Sequence, residues 1–482
     1  MKALAKPGIL IIKLLWWLFT PVSRWFAEHP DIRWWMSILR LGLIQFGIGL
    51  SIAPISGALN RVLITEMQIP AVAVGFLISL HYFVSPVRVM IGYRSDRARS
   101  EGTWRTPYVA LGVMLTFGGL ATAPFALIIL SGEGFLGFFP AMLICTAIFA
   151  VYGAGINIVE TIYLALVSDI TPQEQRGKVI SVLWVMLILG TVTSAVIVSG
   201  LLVDYSDTRL IRVMQGSAVA FIILTVIALY GQERLHKDGT IVNEQDVEVR
   251  KVRASLWESL GVFEGQTTLK NLFVVIFIAT MAFATHDVLL EPYGGQVLGM
   301  SVSETMQLTA LWGLTTIVGV GLAGLMLWKR QTPALLIGLG CMIGLLGFGI
   351  ITYASRGALI LPFQVGVGFI SIGRGLFIVG SIILVMSLAD ISHAGLFLGV
   401  WGIVQALGQG FGVIGGGLLR DIAERQLSSI AMGYTTVYMT SLSLLLAVVL
   451  FLVLYLGRHL QVSEIRLPWE NIDEIPADQL TF

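Results

Sequence analysis

The sequence predicts an all-α integral membrane protein with 12 transmembrane helices in two parallel six-helix repeats, both termini cytoplasmic. Three observations carry this. Apolar residues make up 56% of the 482-residue chain and charged residues only 12%, against roughly 45–50% and about 25% in soluble domains. Twelve apolar stretches reach the roughly 20 residues that a helix needs to cross the hydrocarbon with its backbone polar groups satisfied internally. Local sequence matches also recur between one stretch and the stretch six places later.

Before the first stretch, residues 8–22 are apolar but interrupted by Lys13, and Trp16, Trp17, Trp25, Trp34 and Trp35 crowd the same region. The residues after Thr20 do not resemble a cleavage site. Indole rings favour the headgroup level, so residues 1–35 are expected to lie along the inner surface as an amphipathic anchor. Spans one to six are expected at 36–64, 72–91, 108–129, 140–167, 179–203 and 213–230. Residues 231–271 mix Arg250, Lys251 and Arg253 with Glu244, Asp246 and Glu248, the pattern of a solvated linker between two units. Spans seven to twelve follow at 272–293, 305–328, 334–353, 359–389, 394–419 and 435–456, before a tail at 458–482. Lysine and arginine concentrate in alternate segments, such as the loop after span two and the central linker, which places those segments and both termini inside.

Four matches link the halves. Pro54-x-x-Gly57 ends span one and Pro292-x-x-Gly295 ends span seven; Arg105-Thr106-Pro107 and Gln331-Thr332-Pro333 precede spans three and nine. Asp169-Ile170-Thr171 and Asp390-Ile391-Ser392 follow spans four and ten, and spans five and eleven end in Gly200 to Asp204 and Gly417 to Asp421. The offset shortens steadily along the chain, as in a parallel duplication. Two six-helix bundles enclosing a site near the midplane resemble the major facilitator fold. The loop after span two, Gly92-Tyr93-Arg94-Ser95-Asp96-Arg97, is similar to that superfamily's signature loop, and Asp169, Pro172, Glu174, Arg176 and Gly177 resemble its second one. Gly92, Arg94, Asp96, Arg97, Asp169 and Arg176 are read as a conformational latch, glycine permitting close approach and Asp96 pairing with arginine or a helix N-terminus.

A narrower resemblance rests on Asp287-Val288-Leu289-Leu290-Glu291-Pro292-Tyr293-Gly294-Gly295, with Gly375-Leu376-Phe377-Ile378-Val379-Gly380 and Gly395-Leu396-Phe397-Leu398-Gly399-Val400-Trp401. These stretches resemble the PucC/LhaA family. The resemblance implies an assembly factor for light-harvesting complexes in a bacterial cytoplasmic or intracytoplasmic photosynthetic membrane. It implies bacteriochlorophyll as transient cargo, with carotenoid as a further cargo. Antenna subunits of the core antenna, the reaction centre-LH1 complex and membrane lipid are the partners it implies. His286 departs from the small polar residue expected there, and the tryptophan-rich N-terminal segment is longer than usual.

Ionisable groups at membrane depth cost about 2.5–3.5 kcal/mol each on insertion scales, so each needs a reason. Arg40 and Arg88 lie near the inner face, where long side chains snorkel. Glu160 lies about 10 Å from the inner end of span four and is a candidate for lining the cavity. Asp287 and Arg374 each lie about 22 Å from the inner ends of spans seven and ten, and the superfamily resemblance lets them form a buried pair that either clips the fold or anchors cargo. Glu291, preceding Pro292 near the outer end, is a candidate gate. His81 and His286 are candidate axial ligands for a chlorophyll magnesium, by analogy with haem iron, and each has the alternative of a hydrogen-bonded core histidine; His393 is a weaker candidate.

No nucleophile with a base, phosphate-cradling loop or acid-rich diphosphate motif is visible, so no enzyme activity is expected. A net charge of +1 provides no field for nucleic acid. Cys145 and Cys341 alone make neither a disulfide framework nor a metal site. The alternative function is a proton-coupled transporter of a small amphiphile or tetrapyrrole, using Glu160, Asp287, Glu291 and Arg374.

Overall fold

The computed structural model describes residues 30–85, 88, 91, 105–131, 137–171, 175–231, 267–388 and 394–456. Among the described residues, ten helices are long and apolar enough to cross a membrane, and two shorter apolar helices, Ala71–Phe83 and Leu269–Ala284, stand where spans two and seven are expected. The first half comprises α1 (Pro30–Ala53), a π-helical turn (Pro54–Leu59), α2 (Asn60–Thr65), α3 (Ala71–Phe83) and α4 (Thr106–Thr122), which a short 3-10 turn joins to α5 (Ala126–Ile129). It continues with α6 (Phe138–Ile170), α7 (Arg176–Leu201) and α8 (Asp207–Leu229). The second half holds α9 (Thr267–Ala284), α10 (Leu290–Gln296), α11 (Val302–Trp328), α12 (Pro333–Ala354), α13 (Ile360–Leu388), α14 (Ala394–Leu427) and α15 (Ile430–Phe451).

Helix packing repeats with the sequence. In the first half α1 packs on α7 and α8, while α6 packs on α3 and α4; in the second, α9 packs on α14 and α15, while α13 packs on α11 and α12. The halves meet where α3 crosses α14 and α7 crosses α11. Small residues set these distances. A Cβ on Gly190 would lie 2.1 Å from the Phe46 carbonyl oxygen, and one on Gly340 would lie 2.6 Å from that of Gly373. Large apolar side chains such as Leu143, Val196 and Leu361 face outward and exposed, as lipid contact requires.

Three sequence expectations need correction. Span seven is not one helix: residues 285–289 form a turn between α9 and α10. The Thr285 hydroxyl bonds the Ala282 carbonyl at 2.8 Å, a side-chain bond that competes with the helical ladder. Span one stays helical throughout, with a π turn over Pro54–Leu59 inside it. Its partner Pro292 follows the span-seven turn, so the repeated Pro-x-x-Gly motif marks an irregular backbone in both halves. The first helix begins at Pro30, so Trp34 and Trp35 belong to it and not to a surface anchor; residues 1–29 lie outside the described residues. Finally, α8 begins at Asp207 rather than near 213, and α14 runs to Leu427 rather than 419. Ser206 caps α8 by accepting from the Arg209 N–H at 3.2 Å, and the charged turns beyond each apolar run remain helical.

Candidate functional site

Asp287 lies in the turn between α9 and α10. The Arg374 guanidinium on α13 donates from one nitrogen to both of its carboxylate oxygens at 2.8 Å. The arginine side chain is 9% exposed and the aspartate 23%, so each charge offsets much of the other's desolvation. The glycines flanking Arg374 explain its position. A Cβ on Gly373 would lie 2.5 Å from the Gly340 carbonyl oxygen of α12, and one on Gly375 would lie 2.9 Å from that of Thr316 on α11. Both neighbours therefore close on α13 behind the arginine. Its guanidinium also sits 5.5 Å from the Trp312 ring centroid, a cation–π arrangement.

The first half contributes a second pair. Arg88 donates to Glu160 and to the Asn157 side-chain oxygen, so Arg88 does not simply snorkel. Asn157 in turn donates to the carbonyls of His81 at 2.8 Å and Gly153 at 2.7 Å. A Cβ on Gly153 would lie 2.7 Å from the His81 Cα, so this glycine brings α3 against α6. Tyr82 on α3 lies within Coulomb range of Asp287, Arg374 and Glu160. It therefore lies near members of both arginine–carboxylate pairs. Such a pair can exchange part of its bonding for the carbonyl or carboxylate of a ligand, and Tyr82 and Trp312 add aromatic faces beside it.

The two histidines differ. The His81 Nδ1 bonds the Ile78 carbonyl at 2.7 Å, which makes Nδ1 the donor and leaves the lone pair on Nε2. The residue is half-buried beside Tyr82, ring centroids 3.7 Å apart. His286 is 1% exposed, bonds the Phe283 carbonyl through Nδ1 at 2.7 Å and meets Phe348 of α12 edge-on at 5.6 Å. Its Nε2 is buried without a partner, and its ring packs within the second bundle.

Glu291 on α10 is 3% exposed. One carboxyl oxygen accepts from the Thr309 hydroxyl of α11 at 2.6 Å. It sits at the end of the bundle opposite the start of α1, here called the distal end, where the halves are fastened together. Asn60 donates to the Val288 carbonyl at 2.9 Å, Arg61 to the Met300 carbonyl at 3.0 Å and Gln296 to the Ile64 carbonyl at 3.1 Å. Ser199 donates to the Ser303 carbonyl at 2.8 Å. Asp421 on α14 accepts from the backbone N–H groups of Ala71 and Val72 at 3.1 and 2.9 Å, capping α3 from the other half. Of the latch residues, Gly92, Arg94, Asp96 and Arg97, like His393, lie outside the described residues. Asp169 and Arg176 fall within α6 and α7, but their side chains lie outside the described set.

Sequence reasoning missed Tyr82, Asn157 and Trp312, which carry no charge to stand out in an apolar run. It also missed the pairing of Arg88 with Glu160, and the role of Asp421, which the repeat had shown only as a match to Asp204.

A family profile described as "PUCC protein" matches residues 58–459. "Protein PucC" of Rhodovulum sulfidophilum is 37% identical over 82% of this chain and 87% of its own length. The "Bacteriochlorophyll synthase 44.5 kDa chain" of Rhodobacter capsulatus is 29% identical over 80% and 88%. Among solved structures, a bacterial homologue of the human lysosomal transporter Spinster, inward-facing and unoccupied, superposes with a TM-score of 0.67 at 15% identity, over 89% of this chain and 98% of that one. That likeness shows the major facilitator fold, and the profile and the relatives together establish that this multi-pass membrane protein belongs to the PUCC protein family.

Proposed function

We propose that the protein is an assembly factor for bacterial light-harvesting complexes, serving the core antenna, which carries bacteriochlorophyll through the inner or photosynthetic membrane to antenna subunits. The observation that carries this reading is an arginine–carboxylate pair from each half, Arg374–Asp287 and Arg88–Glu160, with Tyr82 near members of both and Trp312 against Arg374. An amphiphile with a flat apolar body and a few polar edge groups suits such a place, because arginines hold carbonyls while aromatic rings cover the faces. Family membership supports the same reading, and one relative carries bacteriochlorophyll in its name. In this reading His81 offers Nε2 to the pigment magnesium and Arg374 holds a peripheral carbonyl. His286, packed within its own bundle, plays no part in pigment binding.

The test is purification in mild detergent from a pigmented host, with absorption spectra and identification of co-purifying polypeptides. Bacteriochlorophyll absorbance and antenna subunits should accompany the wild type, and Arg374→Leu and His81→Ala should each reduce pigment per protein severalfold. A colourless preparation without antenna polypeptides that nevertheless takes up a small amphiphile in proteoliposomes would replace this reading with proton-coupled transport.

A further inference from the structure

Glu291 is an acid of the sequence-predicted set that the cargo reading leaves unused, and its surroundings are unusual for an acid. It lies where α10 packs against α2, α11 and α15, so both halves enclose it. One oxygen is satisfied by Thr309, while the other, Oε2, is buried without a partner. The side chain of Asn60, from the first half, adjoins it. Asn60 gives one amide N–H to the Val288 carbonyl and directs the amide toward Glu291, while its own Oδ1 is buried and unpartnered. Two unsatisfied acceptors therefore sit in one desolvated place.

The charged and titratable groups around Glu291 do not supply the missing donor. On the turn before α10, Asp287 is paired with Arg374, and His286 bonds the Phe283 carbonyl. On α2, the Arg61 guanidinium goes to Glu66 at 2.6 Å and to the Met300 carbonyl. On α11, Thr309 already donates, and Glu304 closes the exposed capping box with Ser301. On α15, the Tyr434 hydroxyl donates to Gln296 at 2.7 Å, while Tyr438 lies within Coulomb range with its hydroxyl buried and unpartnered. Among the described residues, no cation pairs with Glu291.

A buried carboxylate without a cation or sufficient donors is strongly disfavoured, whereas a carboxylic acid adds one O–H donor and removes the charge. We infer that Glu291 is a proton-binding site that controls the distal seam between the halves: the protonated acid permits closure, and loss of the proton drives the seam open to hydrate the carboxylate. Thr309 itself lies against the first half: a Cβ on Gly57 would lie 3.0 Å from its hydroxyl oxygen. The side chain that holds Glu291 is thus pressed against the first half when the seam is shut. The inference is independent of what the protein carries.

The test uses the full chain in nanodiscs, with buried Cys145 and Cys341 replaced by Ala and nitroxide labels at Gln68→Cys and Gln426→Cys, both exposed and flanking the seam. Pulsed electron-spin distances are measured from about pH 5 to about pH 9, a range spanning buried carboxyl titration. The wild type should lose its short-distance population as pH rises, and Glu291→Gln, a permanently neutral isostere, should retain it throughout. Infrared difference spectra at the acid end should show a protonated-carboxyl band in the wild type that Glu291→Gln lacks. A wild-type distribution indifferent to pH, a pH response that survives in Glu291→Gln, or absence of that band would each overturn the inference.

Discussion

Arg374 and Asp287 make the sharpest statement at the level of single residues. Removing one partner of a buried ion pair strands the other charge, whereas removing both leaves an apolar contact, so Arg374→Leu should destabilise the protein by about 3 kcal/mol and Arg374→Leu with Asp287→Leu by much less. Thermal unfolding in detergent reads the difference, and equal losses would show that the two side chains are not coupled. This pair was legible in the sequence, because the two charges sit at equal depth on two helices that the superfamily resemblance places around one cavity. Arg88–Glu160 was not, although Arg88 and Glu160 differ in depth by only a few ångströms, within reach of an arginine. Counting residues from the membrane surface explained each charge separately, and nothing in either span revealed that α3 and α6 turn those faces toward each other. Tyr82 and Trp312 were invisible for a simpler reason: in a membrane span an aromatic residue looks like any other apolar one.

The elements themselves were largely legible, since hydrophobic length alone locates most of the crossings. The interruption of span seven was not, because hydropathy averages over the residues where a ladder breaks. The span-seven turn is held in place from outside: a Cβ on Gly416 of α14 would lie 2.0 Å from the Thr285 carbonyl oxygen, while one on Gly415 would meet nothing within 4 Å. Gly416→Ala must therefore push α14 away from the turn that presents Asp287, at a cost of about 1–3 kcal/mol typical of overpacking. Gly415→Ala should be close to neutral. Comparing their melting temperatures, together with pigment retention, checks both the packing and its link to the site; equal melting temperatures would contradict the packing.

For the molecule as a whole, the repeat predicts symmetry and the distal seam breaks it. Asp421 caps α3 across the halves, whereas its counterpart Asp204 has a side chain 90% exposed, 3.5 Å from Arg209, and the equivalent helix α11 is capped by its own Ser301. Loss of a cap costs about 1 kcal/mol, so Asp421→Ala should raise hydrogen exchange at the amides of Ala71 and Val72 about fivefold. Asp204→Ala should leave exchange at the start of α11 unchanged. The contact at Asp421 also bears on how the duplicated halves have aged. The start of α3 in the earlier copy now leans on an acid that only the later copy holds in place, while the later copy terminates its own helix unaided. The two halves have ceased to be interchangeable: a chimaera of two later copies would be self-sufficient at both helix starts only by losing this tether, and one of two earlier copies would leave its amides bare.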